Sequence, residues 1–181
     1  PIGAGRQLTW VDRSGATVEV VGAVDSARNL VGSTLDMSPD GKRLALVRTV
    51  DGNGDIFLVE MANGAMTRLT FDPGDDDLPL WTPDGQRIAF SSDRNKGVLS
   101  IFQRPIGGSG DQLVFGDPPH TVPLEFSPDG KTLLAMRADP VTHLDIWVIP
   151  LDPRGDPYAL VKSPSEDGHA QFDPNGKWIA Y

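Results

Sequence analysis

A Ser/Thr/Asp-Pro-Asp/Asn-Gly turn occurs four times, with its prolines at 39, 83, 128 and 174, so that one phrase returns every 44, 45 or 46 residues. Each turn is preceded by an apolar residue and followed by a short apolar strand, as in Trp81-Thr82-Pro83-Asp84-Gly85-Gln86-Arg87-Ile88-Ala89-Phe90. Gly and Pro together make up about a fifth of the 181 residues, which suits many short strands and leaves little room for long helices. These three observations predict an all-β fold. A period near 45 residues with four strands per unit is the mark of a β-propeller blade, so the expected architecture is a β-propeller of four-stranded antiparallel blades.

The turn chemistry explains the recurrence. Proline presets φ for the second position, Asp or Asn tolerates the third, and Gly takes the positive φ that lets two strands twist into a hairpin. Ser, Thr, Ser and Asp at the first position each offer an oxygen to the backbone amides of the turn.

Taken in order, Arg6–Val11 and Ala16–Val21 read as two strands around the turn Asp12-Arg13-Ser14-Gly15, and Ala23–Val31 reads as a loop. The first full unit has strands a to d at Ser33–Met37, Arg43–Arg48, Asp55–Met61 and Ala65–Thr70. The second has Leu78–Trp81, Arg87–Ser91, Val98–Arg104 and Gln112–Phe115. The third has Thr121–Phe126, Thr132–Arg137, Leu144–Pro150 and Tyr158–Val161, and a fourth begins at His169–Phe172 and Trp178–Tyr181. The chain thus divides into repeats over 33–70, 78–115 and 121–161, with half-blades at 6–21 and 169–181, all in one domain. The front half-blade matches strands c and d and the rear one a and b, which makes four blade-equivalents. One chain can close as a four-bladed ring, or two chains can close an eight-bladed ring. Small or polar outer residues such as Ala65, Thr67, Gln112 and Ala159 favour the homodimer. The start at Pro1 and the stop at Tyr181 within strand patterns read as a piece of a longer protein.

A net charge of −9, with no Lys/Arg run beyond two residues, makes nucleic acid and anionic membrane surfaces poor partners. The longest apolar run, Ile146–Leu151, has six residues and spans no bilayer. No cysteine is present, which excludes thiol chemistry and zinc-thiolate sites.

The four turns resemble the WD40-like propeller repeat of the TolB type, common in bacteria. Leu69-Thr70 ahead of the acidic loop, Asp77-Leu78-Pro79-Leu80-Trp81 leading into the second turn, and Ala89-Phe90-Ser91-Ser92-Asp93-Arg94 after it carry the same resemblance. It implies a propeller that serves as a periplasmic scaffold, a peptidase cap or a sensor module, usually with six or more blades, and favours an extracytoplasmic location. Trp10-Val11-Asp12-Arg13-Ser14-Gly15 also resembles the start of propellers that follow bacterial serine/threonine kinase domains.

Candidate site residues gather before the innermost strands. Asp75, Asp76 and Asp77 fall in the loop from strand d to the next strand a, His120 in the equivalent loop, and Glu166, Asp167 and His169 in the last one. Such loops sit near a propeller's channel mouth, so this acidic rim is the expected place for any ligand, a cation or basic peptide, although a solvated rim is the favoured reading over a specific ligand. Asp51-Gly52-Asn53-Gly54-Asp55 begins like a calcium loop. Ile56 and Ala62 stand where that loop needs Gly and Glu, so a hairpin turn without metal is the reading, and no cofactor is expected. The three histidines lie in different repeats, and Gly-x-Ser-x-Gly, His-Glu-x-x-His, P-loop and dinucleotide motifs are absent. Trp10, Trp81, Trp147 and Trp178 are expected in the core between blades. The function expected is a non-catalytic scaffold binding protein or peptide. The alternatives are the propeller part of a larger enzyme, a prolyl-oligopeptidase-like hydrolase or receptor kinase, and a propeller glycosidase or lyase with convergent carboxylates.

Overall fold

The computed structural model describes residues 6–25, 35–117, 119–165 and 167–181, and every regular element among them is a β-strand. β1 (Arg6–Val11) and β2 (Thr17–Asp25) pair as a two-stranded sheet. Three four-stranded antiparallel sheets follow. The first holds β3 (Leu35–Met37), β4 (Arg43–Val50), β5 (Asn53–Glu60) and β6 (Met66–Arg68). The second holds β7 (Asp76–Trp81), β8 (Arg87–Asn95), β9 (Val98–Pro105) and β10 (Gln112–Phe115). The third holds β11 (Thr121–Phe126), β12 (Thr132–Asp139), β13 (His143–Pro150) and β14 (Tyr158–Val161). β15 (Gln171–Phe172) and β16 (Ile179–Ala180) close the chain as a two-stranded sheet of their own. No helix among the described residues is long and apolar enough to cross a membrane.

Several strand boundaries differ from the sequence expectation, among them those of β2, β7 and β8. β2 runs on through Asp25, so the loop expected from Ala23 starts later, and residues 26–34 lie outside the described part. β7 begins at Asp76, which puts Asp76 and Asp77 in a strand rather than a loop. β8 extends to Asn95: Asp76 and Asp77 pair with Ser92 and Ser91 on one side, and Asn95 pairs with Val98 of β9 on the other.

The strands of the three four-stranded sheets read apolar without alternation because each of these sheets is covered on both faces. Leu44, Leu46, Phe57 and Val59 pack with Val21 of the front sheet, whereas Ala45, Val47, Ile56 and Leu58 pack with Trp81, Ile88 and Phe90 of the second. The intervening residue Ala89 turns with Ile101 toward Phe126, Leu133 and Ala135 of the third sheet. Leu134, Ile146 and Val148 face Ala170 and the last sheet. Successive side chains on one strand therefore serve two cores.

The tryptophans follow this coverage. Trp81 is buried, and Trp147 is half-buried under the Arg137 guanidinium at 4.4 Å. Trp10 and Trp178 are instead 42% and 74% exposed, because each lies in an end sheet covered on one side only, which corrects the expectation of four core tryptophans.

The turns form as their residues require. Gly41, Gly85, Gly130 and Gly176 sit at φ of 69°, 66°, 70° and 68°. Thr82 N donates to the Arg87 carbonyl, and Arg87 N donates back to Thr82 Oγ1, both at 3.0 Å. The turns also stack from sheet to sheet: a Cβ on Gly85 would lie 3.7 Å from Pro39, and one on Gly130 would lie 3.7 Å from Pro83.

A second tie joins neighbouring innermost strands. Asp36 accepts the Trp81 N–H at 2.6 Å, the Trp81 indole donates to the Asp36 carbonyl at 3.2 Å, and Glu125 accepts the Phe172 N–H in the same way two sheets on.

Asp40, Asp84 and Asp129 take a hydroxyl hydrogen bond from Ser38, Thr82 and Ser127, then a backbone N–H two residues ahead, and these bonds hold their carboxyls below the ordinary range. A lowered folded pKa contributes stability above the unfolded value, and that stability is lost as pH falls through the folded one. The triple variant Asp40→Asn, Asp84→Asn, Asp129→Asn is therefore expected to lose less stability than the parent as pH falls below the ordinary carboxylate value of about 4. Asp36, whose pKa burial pushes up, acts with the opposite sign in both proteins and cancels from the comparison. Urea midpoints that fall in parallel for the two proteins would contradict this.

Candidate functional site

The acidic triplet is built into the fold from the inside. Asp76 is fully buried, and its two oxygens receive Arg94 Nη2 at 2.8 and 2.9 Å. Arg94 also donates to Asp111, which receives Arg104 Nη1 at 2.9 Å, and it lies 3.7 Å from Asp72. Its guanidinium sits 5.5 Å from the Phe90 ring centroid and 4.7 Å from that of Phe102. Burial pushes the Asp76 carboxyl up, while Ser92, Arg94 and Thr70 pull it down through hydrogen bonds. Burial pulls Arg94 down, and Asp76 and Asp111 outweigh it, so the guanidinium stays charged. A buried acid satisfied this fully is cross-linking two strands and has no oxygen to offer a ligand.

The flanking positions repeat a latch. Asp75 Oδ1 accepts the Gly54 N–H at 2.7 Å, and His120 Nδ1 accepts the Leu99 N–H at 2.9 Å. Both acceptor and donor shift by 45 residues, so the two bonds are one feature of the repeat. Acceptance at Nδ1 requires the neutral imidazole with its proton on Nε2. Glu166, the third residue of this series, lies outside the described part. Thr121 and Asp167 occupy the position of Asp76 in the later repeats. Thr121 Oγ1 donates to the Pro119 carbonyl at 3.1 Å. Asp167 Oδ1 accepts from Ser163 Oγ at 3.1 Å, while its Oδ2 is buried with no hydrogen-bond partner among the described residues.

Asp77 is half-buried and takes the Leu78 N–H at 2.7 Å, where Leu78 has φ of 54°. His169, five residues before its turn proline as Leu78 is, also has positive φ, 61°, and is exposed. The structure thus gathers Asp75, Asp76 and Asp77 around one strand start and places His120, Asp167 and His169 at the same end of the following sheets. Among the described residues, no group of three or more His, Asp or Glu side chains is arranged to hold a metal.

Two further acids, Asp55 at the end of the 51–55 turn and Asp145, were not read in the sequence as buried groups. Asp55 and Asp145 are fully buried at one repeat position, opposite Arg48 and Arg137 on the neighbouring strand. Arg68 Nη2 lies 2.7 Å from Asp55 Oδ2, an ion pair not aligned as a hydrogen bond, and Thr142 donates to Asp145 at 3.0 Å. The available signal was an Asp-Ile pair opening an otherwise apolar strand c in both repeats, with Ser100-Ile101 between them.

Comparison with known proteins agrees with this architecture. An uncharacterized protein of Agrobacterium fabrum is 33% identical over 126 residues, covering 65% of this chain and 42% of that protein. An uncharacterized peptidase of Bacillus subtilis, YuxL, is 26% identical over 145 residues, covering 80% of this chain and 20% of its own length. The chain therefore spans less than half the length of these curated relatives. The crystal structure of TolB from Acinetobacter baumannii matches with a TM-score of 0.78 at 24% identity, over 93% of this chain and 40% of that one, a likeness of fold. The family model for the TolB β-propeller domain, PD40, matches residues 5–181, and the chain belongs to that family.

Proposed function

We propose that the chain is a non-catalytic β-propeller scaffold that binds protein or peptide, with the strand-entry rim as its contact surface. The observation that carries this reading is the engagement of the rim's titratable groups in the fold. Asp75 and His120 hold backbone amides and Asp76 holds Arg94, so these three groups are committed to the fold, while Asp77, His120, Asp167 and His169 remain among the described residues of the rim as contact residues. The chain has no cysteine, so Asp77→Cys and Ser109→Cys place one thiol each on the rim and on the opposite end. Random peptides displayed on phage are panned against both variants, before and after attachment of a bulky maleimide. Peptides lost only when the rim is blocked support the reading, and peptides indifferent to that block overturn it.

The second reading is the propeller portion of a larger enzyme of the peptidase type. It is favoured by the likeness to YuxL, which covers 80% of this chain but only 20% of the named peptidase. Dipeptide-anilide hydrolysis by the full-length protein, lost when the adjoining domain is removed, would support it.

Association belongs to the same proposal. Among the described residues β1–β2 and β15–β16 are separate two-stranded sheets with open edges, flanked by exposed Val18, Val20, Trp178 and Tyr181. Edges of this kind invite pairing with another chain. The isolated chain is expected as a homodimer that closes an eight-bladed ring, with each front half-blade completing the partner's rear one. Light scattering at twice the 19.5 kDa chain mass is the expected result, and a single chain mass at micromolar concentration would contradict it.

A further inference from the structure

We propose that an extended basic peptide binds in the cleft between the second and third sheets, adding as a strand to the outer edge of β10. The proposal rests on the scaffold reading and gives it a second surface, at the end of the sheets opposite the strand-entry rim.

The cleft has a volume of about 610 Å³ and is floored by Phe115, Phe126 and Ile149. Four carboxylates, Asp84, Asp117, Asp129 and Asp156, line it against two guanidinium groups, Arg87 and Arg154. Arg154 Nη2 donates to the Val114 carbonyl at 3.3 Å. Asp117, Asp129 and Asp156 are exposed and leave the cleft with an excess of negative charge, which suits a cationic ligand on an apolar stem.

The edge of β10 supplies the second half of the site. The sheet order β10-β9-β8-β7 leaves β10 paired on one side only, and a register irregularity lies between Leu113 and Phe115. The Val114 carbonyl is met by a guanidinium reaching over from the third sheet, where a neighbouring strand's N–H would otherwise sit. A peptide laid along β10 takes over that carbonyl with its own amide and drops alternate side chains between the sheets.

The seam between these two sheets lacks a tie that the other two innermost-strand contacts have. Asp36 ties the first sheet to Trp81 N, and Glu125 ties the third to Phe172 N. The corresponding residue of the second sheet is Leu80, which has no acceptor for the Phe126 N–H that the shared register turns toward it. At this seam the Phe126 side of the innermost strand is held by packing without a carboxylate tie.

The experiment uses three fluorescein-labelled hexapeptides with the complete chain: Lys-Val-Lys-Val-Lys-Val, its glutamate counterpart, and the lysine peptide N-methylated at alternate amides. Fluorescence anisotropy is expected to show the lysine peptide binding at least about tenfold tighter than the glutamate one. N-methylation, which removes strand-pairing donors while keeping the charge, is expected to abolish binding. The variant Asp117→Asn, Asp129→Asn, Asp156→Asn should weaken the lysine peptide about tenfold. Its turn tolerates the change, since Asn175 occupies the equivalent position in the fourth repeat. Equal binding of the acidic peptide, or binding indifferent to N-methylation of the peptide on the unmodified chain, would overturn the site. Either result removes this cleft alone, because the scaffold reading is tested separately by the block at the opposite rim.

Discussion

Arg94→Met is expected to destabilise the chain by about 3–5 kcal/mol, the range for removing one partner of a buried ion pair. The substitution leaves the Asp76 carboxylate fully buried with only Ser92 and Thr70 as hydrogen-bond partners, and it also withdraws the cation from the Phe90 and Phe102 rings. Asp111 keeps Arg104 and is less affected. Replacing both partners, Asp76→Leu with Arg94→Met, should recover much of the loss, because no buried charge is then left unpaired. Urea unfolding of the two single variants and the double variant measures the coupling. A single-variant loss below about 1 kcal/mol, the range of surface pairs, would mean that the pair is solvated.

Gly85→Val should cost about 1–3 kcal/mol. Gly85 has φ of 66°, a conformation that a β-branched residue resists, and its added side chain would crowd Pro39 of the preceding turn. Gly41→Val has the same backbone strain with nothing within 4 Å of the new Cβ, so it isolates the conformational part. Gly130→Val meets Pro83 as Gly85→Val meets Pro39. Melting temperatures should therefore fall for all three variants and fall least for Gly41→Val. An unchanged value for any one of them would contradict the turn geometry.

The parts of this fold that were legible in the sequence are those written in local chemistry. Pro-Asp-Gly fixes a turn within four residues, so the hairpins at 38–43, 82–87 and 127–132 could be placed and their positive φ anticipated. The acidic strand start was not legible, because an Asp-Asp-Asp run reads as a loop until Arg94, eighteen residues away, is seen to bury one of the three. The ties from Asp36 and Glu125 had a usable signal, a carboxylate two residues before the turn's Ser in the first and third repeats. Their partners lie 45 and 47 residues away, beyond the reach of periodicity within a strand. Trp10 and Trp178 were misplaced for a related reason: the strand pattern shows which face a residue takes, and the covering sheet decides whether that face is buried.

The central claim is that Asp75, Asp76 and His120 at the strand-entry end hold the fold together, and that the rim they build is the surface offered for binding. Amide hydrogen exchange tests it most directly, since the Asp75 and His120 latches protect two assigned protons, Gly54 N–H and Leu99 N–H. Asp75→Ala is expected to speed exchange at Gly54, and His120→Ala at Leu99, while the turn amides of Gly41, Gly85 and Gly130 at the other end stay slow. Unchanged exchange at both Gly54 and Leu99 would show that these side chains carry no structural bond and would contradict the account.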